Sequence, residues 1–453
     1  MFTEHILSVT MEADYLLVGA GAFGVAFLDE LINNTEDTTV VVVDKRAKPG
    51  GHWNDAYPFV RLHQPAANYG VNSRVLGQGG ADLASKYQIL AYYEQVMADL
   101  MASGRVAYYP QCEYIGEGRF VSLLDSDLKY EVIVKKKTVD ATRLTTEVPA
   151  TRPPQYQVGR GVNLIPINGL ADIKTPWENY VVIGAGKTGL DALLFLLDNN
   201  VDPGRIVWIV SNDCWYFNRD IAEFENVYNA VVSQWSAVLE SDNLDELYDN
   251  WEKKGVLMRI DKKINPTKMR AATVSPEEMK KLSLITNIVR HGRIESILES
   301  KIVFTDGEEI PTDTETLHID CSASGTTNPA VKTIFSGSTI NLQMVQVPQP
   351  TFSGAIIAAM EIAFPDDEEK KNGVCVPMPF PHEKSDWVRQ LRGTMVNGDK
   401  VGEVLGLRWM RSRRLCHMHH IPLLDLAWLM VYIIPNKAAL LSRMDQILEK
   451  LEG

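Results

Sequence analysis

Two stretches of the chain repeat the same order of hydrophobic patterns. In each, an apolar run ends in a glycine-rich turn, apolar residues then recur at helical spacing, and a second apolar run follows. Continuously apolar runs are typical of parallel strands that are buried on both faces. The pattern therefore predicts two strand–helix–strand units, one over residues 14–44 ("DYLLVGAGAFGVAFLDELI" to "TTVVVVDK") and one over residues 179–213.

The other segments carry the patterns of different elements. Helical spacing predicts a helix over residues 85–104, alternation predicts a strand meander over residues 119–141 with a turn at Asp125, and a hairpin is predicted around Gly307. Residues 219–284 and 381–453 are predicted to be helical. The tail carries an apolar stripe that we expect to pack against a core, formed by Leu440, Leu441, Met444, Ile447, Leu448 and Leu451.

The two glycine-rich turns carry the candidate chemistry. In a GxGxxG turn between strand and helix, the first glycine allows the tight turn, the second lets a pyrophosphate approach the backbone, and the third lets the helix pack closely. The pyrophosphate then lies at a helix N-terminus, which favours negative charge. Two such turns predict two bound dinucleotides, and the candidate contact residues are Gly19, Gly21, Phe23, Gly24, Gly184, Gly186, Lys187, Thr188 and Gly189.

The residues at the end of the second strand of each unit indicate which nucleotide is bound. Asp44, followed by Lys45, can accept hydrogen bonds from ribose hydroxyls and repel a 2′-phosphate. The second unit has Ser211 and Asn212 there, without an arginine for a 2′-phosphate. NADH is therefore expected to be a good reductant, while Lys187 in the turn and Arg219 further along leave NADPH open.

The segment that follows Asp44, "DKRAKPGGHWNDAYPFVRLHQPAANYGV", has neither strand nor helix periodicity. It mixes aromatic, polar and glycine residues, so it is not built to bury one face against a core. We therefore predict that this loop lies along a bound group that is not protein.

Together these motifs resemble the two-dinucleotide-binding flavoproteins, most of all the flavin-containing and Baeyer–Villiger monooxygenases. In that group an acidic strand end and a Gly-Gly-x-Trp turn lie along FAD, as Asp44 and the turn with Gly51, His52 and Trp53 would here. The segment "TLHIDCSASG" resembles the strand that returns the chain to the FAD domain, and "FSGAIIAAMEIAF", with Gly354, resembles the closing helix whose start faces the flavin. The histidine-containing fingerprint of those monooxygenases is absent, and the tail after residue 381 has no counterpart.

The resemblance implies an α/β fold of two Rossmann-like, doubly wound dinucleotide-binding domains, one inserted in the other, plus a helical C-terminal region. The FAD domain would comprise residues 1–150 and 320–365. The NAD(P) domain would comprise residues 151–319, with a helical insertion at about 220–284, and the helical region would span residues 366–453.

The resemblance also implies an FAD-dependent monooxygenase that is reduced by NAD(P)H. It would act through a C4a-(hydro)peroxyflavin on a small organic substrate with O2. Arg61, His63, Gln64 and Asn72 are the candidate residues around the flavin ring or substrate. Two alternatives remain open, a single-component flavin-dependent halogenase of an aromatic substrate and a non-catalytic FAD-binding redox sensor.

Composition narrows the classes of partner and location. The chain has 453 residues and a formal net charge of -13, which argues against nucleic acid because phosphate binding needs a basic surface. The N-terminus lacks a basic segment followed by an apolar run, and the five cysteines are scattered without a CxxC pair. We therefore expect a cytoplasmic protein without a secretory signal or a redox disulfide.

Three remaining motifs have ordinary explanations. The apolar stretch 422–435 is too short to span a bilayer and contains Asp425, which favours a buried helix or interfacial contact. Adjacent histidines in "CHMHH" rarely converge on one ion, so no metal site is predicted. The aromatic triplet in "DCWYFNRD" is expected to pack against a nicotinamide, a substrate or a domain interface. The oligomeric state is left open.

Overall fold

The computed structural model describes residues 7–223, 226–323, 325–327 and 329–451. The first sheet begins at the start of this range. The elements that build it are β1 (Leu7–Val18), α1 (Ala22–Asn33), β2 (Val40–Val43), α2 (Lys86–Ala102), β3 (Val106–Tyr109), β4 (Cys112–Gly116), β5 (Arg119–Ser122) and β6 (Leu128–Asp140). Strands β6, β1, β2 and β3 lie side by side and parallel. The antiparallel pairs β4–β5 and β5–β6 confirm the predicted meander.

A second parallel sheet follows, with smaller sheets around it. Its region contains β7 (Thr146–Glu147), β8 (Gln157–Val158), β9 (Asn163–Pro166), β10 (Asn179–Ile183), α3 (Lys187–Asp198), β11 (Ile206–Ile209), β12 (Cys214–Asn218), α4 (Val227–Leu239), α5 (Leu244–Lys253), β13 (Leu257–Met258), β14 (Lys268–Val274), α6 (Pro276–Leu282), β15 (Ile288–Val289), β16 (Ile294–Ile297), β17 (Lys301–Phe304), β18 (Glu309–Pro311) and β19 (Thr316–Asp320). Strands β15, β11, β10, β19 and β9 are parallel in this order. The hairpin predicted at Gly307 is confirmed by the antiparallel pair β17–β18.

The chain then returns to the first sheet. The returning elements are β20 (Gly325–Thr326), β21 (Phe335–Ser336), β22 (Thr339–Asn341) and α7 (Pro350–Ala363). Strand β22 pairs parallel with β6. The segment "TLHIDCSASG", which the resemblance predicted to return the chain to the first sheet, contains β19. This strand pairs with β10 and β9, so it belongs to the second sheet, and the first sheet resumes only at Phe335.

The segment predicted as a helical insertion is only partly helical. Helices α4 to α6 are present, but β12, β13 and β14 form a small sheet among them. In β14, Met269 and all four residues from Ala271 to Val274 are buried, so the end of this strand is covered on both faces. The helical prediction for these residues was therefore wrong, because pairing with β12 determines their conformation.

The tail is helical, as predicted. It contains α8 (Glu368–Val374), α9 (Lys384–Ser412), α10 (His417–His420) and α11 (Leu423–Glu449). Helix α9 is interrupted at Gly406, where φ is +81°. Of the predicted apolar stripe, Leu440, Met444 and Ile447 are fully buried, whereas Leu451 at the end of the described chain is 49% exposed.

The apolar stretch at the start of α11 has two faces. Leu426 and Leu429 are buried, while Leu424 and Trp428 are exposed, so the prediction of a buried helix holds for one face only. Among the described residues, no single helix is long and apolar enough to cross a membrane. Two consecutive helical segments, Leu423–Tyr432 and Pro435–Glu449, are bent by 57° relative to each other. Taken together, they are long and apolar enough to cross a membrane.

Helices α1 and α7 pack closely because α7 has a glycine at their contact. A Cβ atom on Gly354 would lie 2.8 Å from the carbonyl oxygen of Phe23 and 3.2 Å from the backbone nitrogen of Phe27. The first distance is too short for a carbon atom without movement of α1, and the second is tighter than most carbon contacts. Gly354 therefore fixes the distance between two helices of the first sheet.

We predict that Gly354→Ala lowers the free energy of unfolding by about 1 to 3 kcal/mol, because the added methyl forces the two helices apart. The control is Gly373→Ala in α8, where a Cβ meets nothing within 4 Å. It should raise stability by about 0.5 to 1 kcal/mol through helix propensity. Urea denaturation of both variants checks the opposite signs, and equal effects would contradict the packing role.

Candidate functional site

Both glycine-rich turns open onto one cavity of about 1580 Å³. Pockets for one small molecule usually have a volume of about 300 to 1,000 Å³. The first turn contributes Gly19, Gly21 and Phe23 to the wall, and the second contributes Gly186, Lys187 and Thr188. The cavity therefore has room for more than one ligand.

The first turn has the geometry that its glycines predict. Gly19 has a φ of +101°, and its N–H donates to the carbonyl oxygen of Val43 at 2.8 Å. A Cβ on Gly24 would lie 2.2 Å from the carbonyl oxygen of Gly19, so only glycine allows α1 to approach this closely. Gly21 precedes α1 and has no side-chain cap, which leaves the helix N-terminus facing the cavity.

Asp44 connects the end of β2 to this turn. Its carboxylate is 5% exposed and accepts hydrogen bonds from the backbone N–H of Ala20 at 2.6 Å and of Arg46 at 2.7 Å. These bonds hold each oxygen in place and leave lone pairs free, since a carboxylate can accept about four hydrogen bonds. Asp44 and Lys45 both line the cavity.

The second turn repeats this geometry. The N–H of Gly184 donates to Ile209 at 2.9 Å, and a Cβ on Gly189 would lie 2.2 Å from the carbonyl oxygen of Gly184. Gly186 precedes α3 without a side-chain cap, and a Cβ there would meet nothing within 4 Å. A second helix N-terminus therefore faces the same cavity.

Aromatic side chains bind the carbonyl oxygens of the second turn. In the second turn, the indole N–H of Trp208 donates to Gly184 at 2.9 Å, and the hydroxyl of Tyr216 donates to Ala185 at 2.7 Å. Tyr216 belongs to the aromatic triplet of β12. Its neighbour Phe217 lines the cavity, so the triplet supports the turn and forms part of the wall.

One side of the loop after Asp44 lies on the first turn. The N–H of Gly50 donates to Ala20 at 2.9 Å, and a Cβ on Gly51 would lie 3.0 Å from the Cα of Gly21. Two glycines therefore lie backbone against backbone at the cavity wall. His52 and Trp53 follow and also line the cavity.

The other side of the loop contacts the second unit. The hydroxyl of Tyr57 donates to Asp191 of α3 at 2.6 Å, and the ring of Phe59 stacks on Phe195 at 4.2 Å. Asp191 also pairs with the ammonium group of Lys187. The loop therefore lies between the two glycine turns and joins them.

His63 occupies a fixed position in this loop. Its Nδ1 accepts a hydrogen bond from the N–H of Thr273 at 3.1 Å, so the neutral ring carries its proton on Nε2. Burial, together with the charges of Lys187 and Arg219, lowers the pKa of His63 to about 3. His63 and Gln64 both line the cavity, where neutral His63 can donate a hydrogen bond.

Several candidate residues are already bound to other groups. Arg219 is 6% exposed and pairs with Glu278 at 2.7 Å, while the guanidinium of Arg61 donates to the carbonyl of Leu83 at 3.0 Å. The side chain of Asn72 donates to Glu30 at 3.0 Å, away from the cavity wall.

Arg61 lines the cavity, whereas Arg219, Gly24, Gly184 and Gly189 do not. Ser211 and Asn212 are absent from its lining, as is Gly354, which packs against α1.

The structure adds a polar group that the sequence did not single out. Arg270 lines the cavity, and its Nε is buried without a hydrogen-bond partner among the described residues. The following residue, Ala271, has a φ of +55°. No pattern in the sequence marks this arginine, because the spacing of apolar residues predicts a helix for its segment.

The tail holds the end of the loop through one buried guanidinium. Arg414 is 7% exposed and donates to the carbonyl oxygens of Ala67 and Tyr69 at 2.6 Å each, Val71 at 2.8 Å and Arg74 at 3.0 Å. These carbonyls replace the water that the cation loses on burial. Hydrogen bonds from Arg414 therefore hold the tail against residues 67–74.

The histidine cluster of α10 binds backbone and side-chain groups of the protein. His417 accepts from the amide of Gln349 at 3.0 Å, and both residues line the cavity. His419 and His420 each donate a ring N–H to a backbone carbonyl at 2.6 Å. Within residues 7–223, 226–323, 325–327 and 329–451, no group of three or more His, Cys, Asp or Glu could hold a metal ion.

The chain is similar to proteins of mycobacteria. An uncharacterized protein of Mycobacterium bovis and one of Mycobacterium tuberculosis are each 40% identical over 426 residues, which covers 90% of this chain and 78% of theirs. The chain belongs to the same family as these mycobacterial proteins. No protein-family model matches this member.

Solved structures give a more distant likeness. A flavin-containing monooxygenase from Stenotrophomonas maltophilia has 14% identity and a TM-score of 0.48, over 78% of this chain and 99% of its own. An oxidized steroid monooxygenase bound to NADP has the same identity and TM-score, over 78% and 86%. A bacillithiol disulfide reductase from Staphylococcus aureus has 12% identity and a TM-score of 0.45, over 78% and 99%. These structures include monooxygenases, which the motifs of this chain resemble, and a disulfide reductase.

The low pKa of His63 predicts how stability depends on pH. In the unfolded chain a histidine has a pKa near 6.5, so the unfolded state takes up a proton that folded His63 does not take up until about pH 3. The stability contributed by neutral His63 is therefore complete above pH 6.5 and lost as the pH falls. Between pH 6.5 and 4, the slope of the unfolding free energy against pH is proportional to the number of protons taken up on unfolding. We expect His63→Gln to reduce that number by up to one.

Urea denaturation at several pH values measures this slope. The control is Phe59→Leu, which weakens a loop contact without removing a titrating group and should leave the slope unchanged. The assignment fails if wild type and His63→Gln have the same slope.

Proposed function

We propose that this protein is an FAD-dependent monooxygenase reduced by NAD(P)H, acting on a small organic substrate with O2. Residues 1–150 and 335–365, which contain the strands of the first sheet, would form the FAD domain, with the NAD(P) domain inserted between them. One observation carries the proposal: two glycine turns of the same geometry direct their helix N-termini into a single cavity. One dinucleotide would be resident and the other would visit.

The residues of the first turn fit FAD. The bare Cα atoms of Gly21 and Gly51 leave room for a pyrophosphate to approach the backbone, and the N-terminus of α1 favours its charge. Asp44 has lone pairs free for ribose hydroxyls and is held by two backbone N–H groups. Gly24 would keep α1 close enough for these contacts.

The residues of the second turn fit the pyrophosphate of NAD(P)H. Gly186 leaves open space before α3, and Lys187 and Thr188 line the cavity at its N-terminus. The charge of Lys187 is shared with Asp191, and Arg219 is paired with Glu278. Neither cation is therefore reserved for a 2′-phosphate.

When bound, the flavin would supply the redox chemistry, in which a hydride from NAD(P)H reduces O2 so that one oxygen atom reaches the substrate and the other leaves as water. The protein would bind, orient and exclude water. His63 Nε2–H and the amide of Gln64 can donate hydrogen bonds without a full charge, and Arg270 adds a cation with an unpaired Nε. Apolar walls such as Phe217 would keep the site dry.

We expect the purified protein to carry FAD near one per chain and to lose it in Gly21→Val, because the side chain blocks the pyrophosphate. The matched variant is Gly186→Val in the other turn. It should stay yellow but fail to be bleached by NADH or NADPH under anaerobic conditions. Flavin absorbance measures both results, and in wild type air should restore the bleached spectrum.

A Gly21→Val protein that remains fully yellow would show that the first turn does not bind the flavin. Loss of colour in both variants would contradict separate sites for the two dinucleotides. A flavin that binds but is never bleached by either nucleotide would favour a redox sensor over an enzyme.

We expect kcat/KM for NADH and NADPH to agree within about ten-fold, a difference of about 1.4 kcal/mol in transition-state stabilisation. The physical reason is that Lys187 and Arg219 are already paired with carboxylates. Steady-state oxidation of both nucleotides measures the ratio. A strong NADPH preference that disappears in Lys187→Ala would instead identify Lys187 as a phosphate ligand.

A further inference from the structure

The cavity continues beyond the glycine turns along one face of α9. Trp387, Leu391, Met395, Gly398 and Gly402 all line it, at intervals of three or four residues that place them on one face of the helix. At 1.5 Å per residue, this face is about 22 Å long. The cavity wall therefore includes a long helical surface to which neither glycine turn contributes.

Two other helices supply the remaining walls of this region. Helix α4 contributes Ala230, Val231 and Trp235, and helix α11 contributes Leu429 and Met430. We call the region lined by α4, α9 and α11 the tail pocket. Its walls are mostly apolar, with Gln234 and Thr394 as uncharged polar members, and its unbranched methionine side chains can adapt to ligands of different shape.

The charged groups of the tail pocket do not favour an ionic ligand. The ammonium group of Lys437 pairs with Asp399, so these two charges satisfy each other. Glu403 also lines the cavity, but it is exposed, so solvent screens its charge. A ligand of the tail pocket would therefore be neutral over most of its length.

Gly398 leaves space in the middle of this wall. Its φ is not in the left-handed region, and a Cβ there would meet nothing within 4 Å. A helix that needed only to be stable would have alanine here, because glycine costs about 1 kcal/mol in a helix interior. A side chain at this position would narrow the tail pocket.

We propose that the tail pocket binds the hydrocarbon part of a neutral, extended apolar substrate, and that Gly398 determines the longest chain that fits. As a statement about substrate, this rests on the proposed function. The binding of a hydrocarbon chain to the tail pocket can be measured without any redox reaction.

The test uses linear 1-alkanols from hexanol to dodecanol, which displace Nile red from the oxidised, full-length protein. In wild type, the Kd should fall by about four-fold per added CH2, the factor that corresponds to about 0.8 kcal/mol per buried methylene. The fall should stop at the chain length that fills the pocket. In Gly398→Phe the Kd should stop falling at a chain about three carbons shorter than in wild type. In Gly398→Leu the limiting chain length should be intermediate.

Two controls locate the binding. Gly373→Phe places the same ring on an exposed helix outside the cavity wall and should leave the length limit unchanged. Trp428→Ser changes the exposed face of α11 and should also leave it unchanged. Thermal melting of each variant confirms that the protein is folded.

A Kd that does not depend on chain length would overturn the proposal, as would the same limit in wild type, Gly398→Leu and Gly398→Phe. A limit that shifts in Trp428→Ser would place the alkanols on the outer surface of α11 and would also overturn it. These outcomes are independent of flavin colour and bleaching, so failure of the tail pocket and failure of the proposed function are distinguishable.

Discussion

The arrangement of the cavity depends on how closely a helix backbone can approach the strand that precedes it. In both units the third glycine of the turn lies where a Cβ would be 2.2 Å from the carbonyl oxygen of the first. This contact brings the N-termini of α1 and α3 to the carboxyl ends of their sheets, where free N–H groups can face a ligand. Larger residues at Gly24 or Gly189 would move the helix away, and with it the wall of the cavity.

The loop between Asp44 and Val71 converts two separate turns into one site. Gly51 lies against Gly21 on one side, and Tyr57 binds Asp191 of α3 on the other. His63 is fixed by a backbone N–H from β14, which belongs to the small sheet next to the second unit. The irregular sequence of the loop follows from this position, because it has to satisfy two different surfaces and a cavity at once.

The two units could be predicted from the sequence because their glycine spacing encodes a local backbone contact. Contacts between distant segments could not be predicted in this way. Asn72 was a candidate for the cavity, yet it binds Glu30, whose position depends on how α1 packs. Arg270 was missed because pairing of its strand with β12 outweighs the local pattern. The tail pocket could not be predicted either, since an apolar helix face looks the same whether it contacts a core or a cavity.

The contacts of Arg414 can form only after most of the chain has been synthesised. Its four carbonyl partners lie between 340 and 347 residues earlier in the chain. At about 5 to 20 residues per second, ribosomes need roughly 20 to 70 seconds to synthesise that interval. Strands β1 to β6 and the loop thus emerge long before the residue that holds residues 67–74 in place, and until then no contact with Arg414 holds this part of the loop. The contacts that hold residues 67–74 therefore form late, and a chain that ends before Arg414 lacks all four of them.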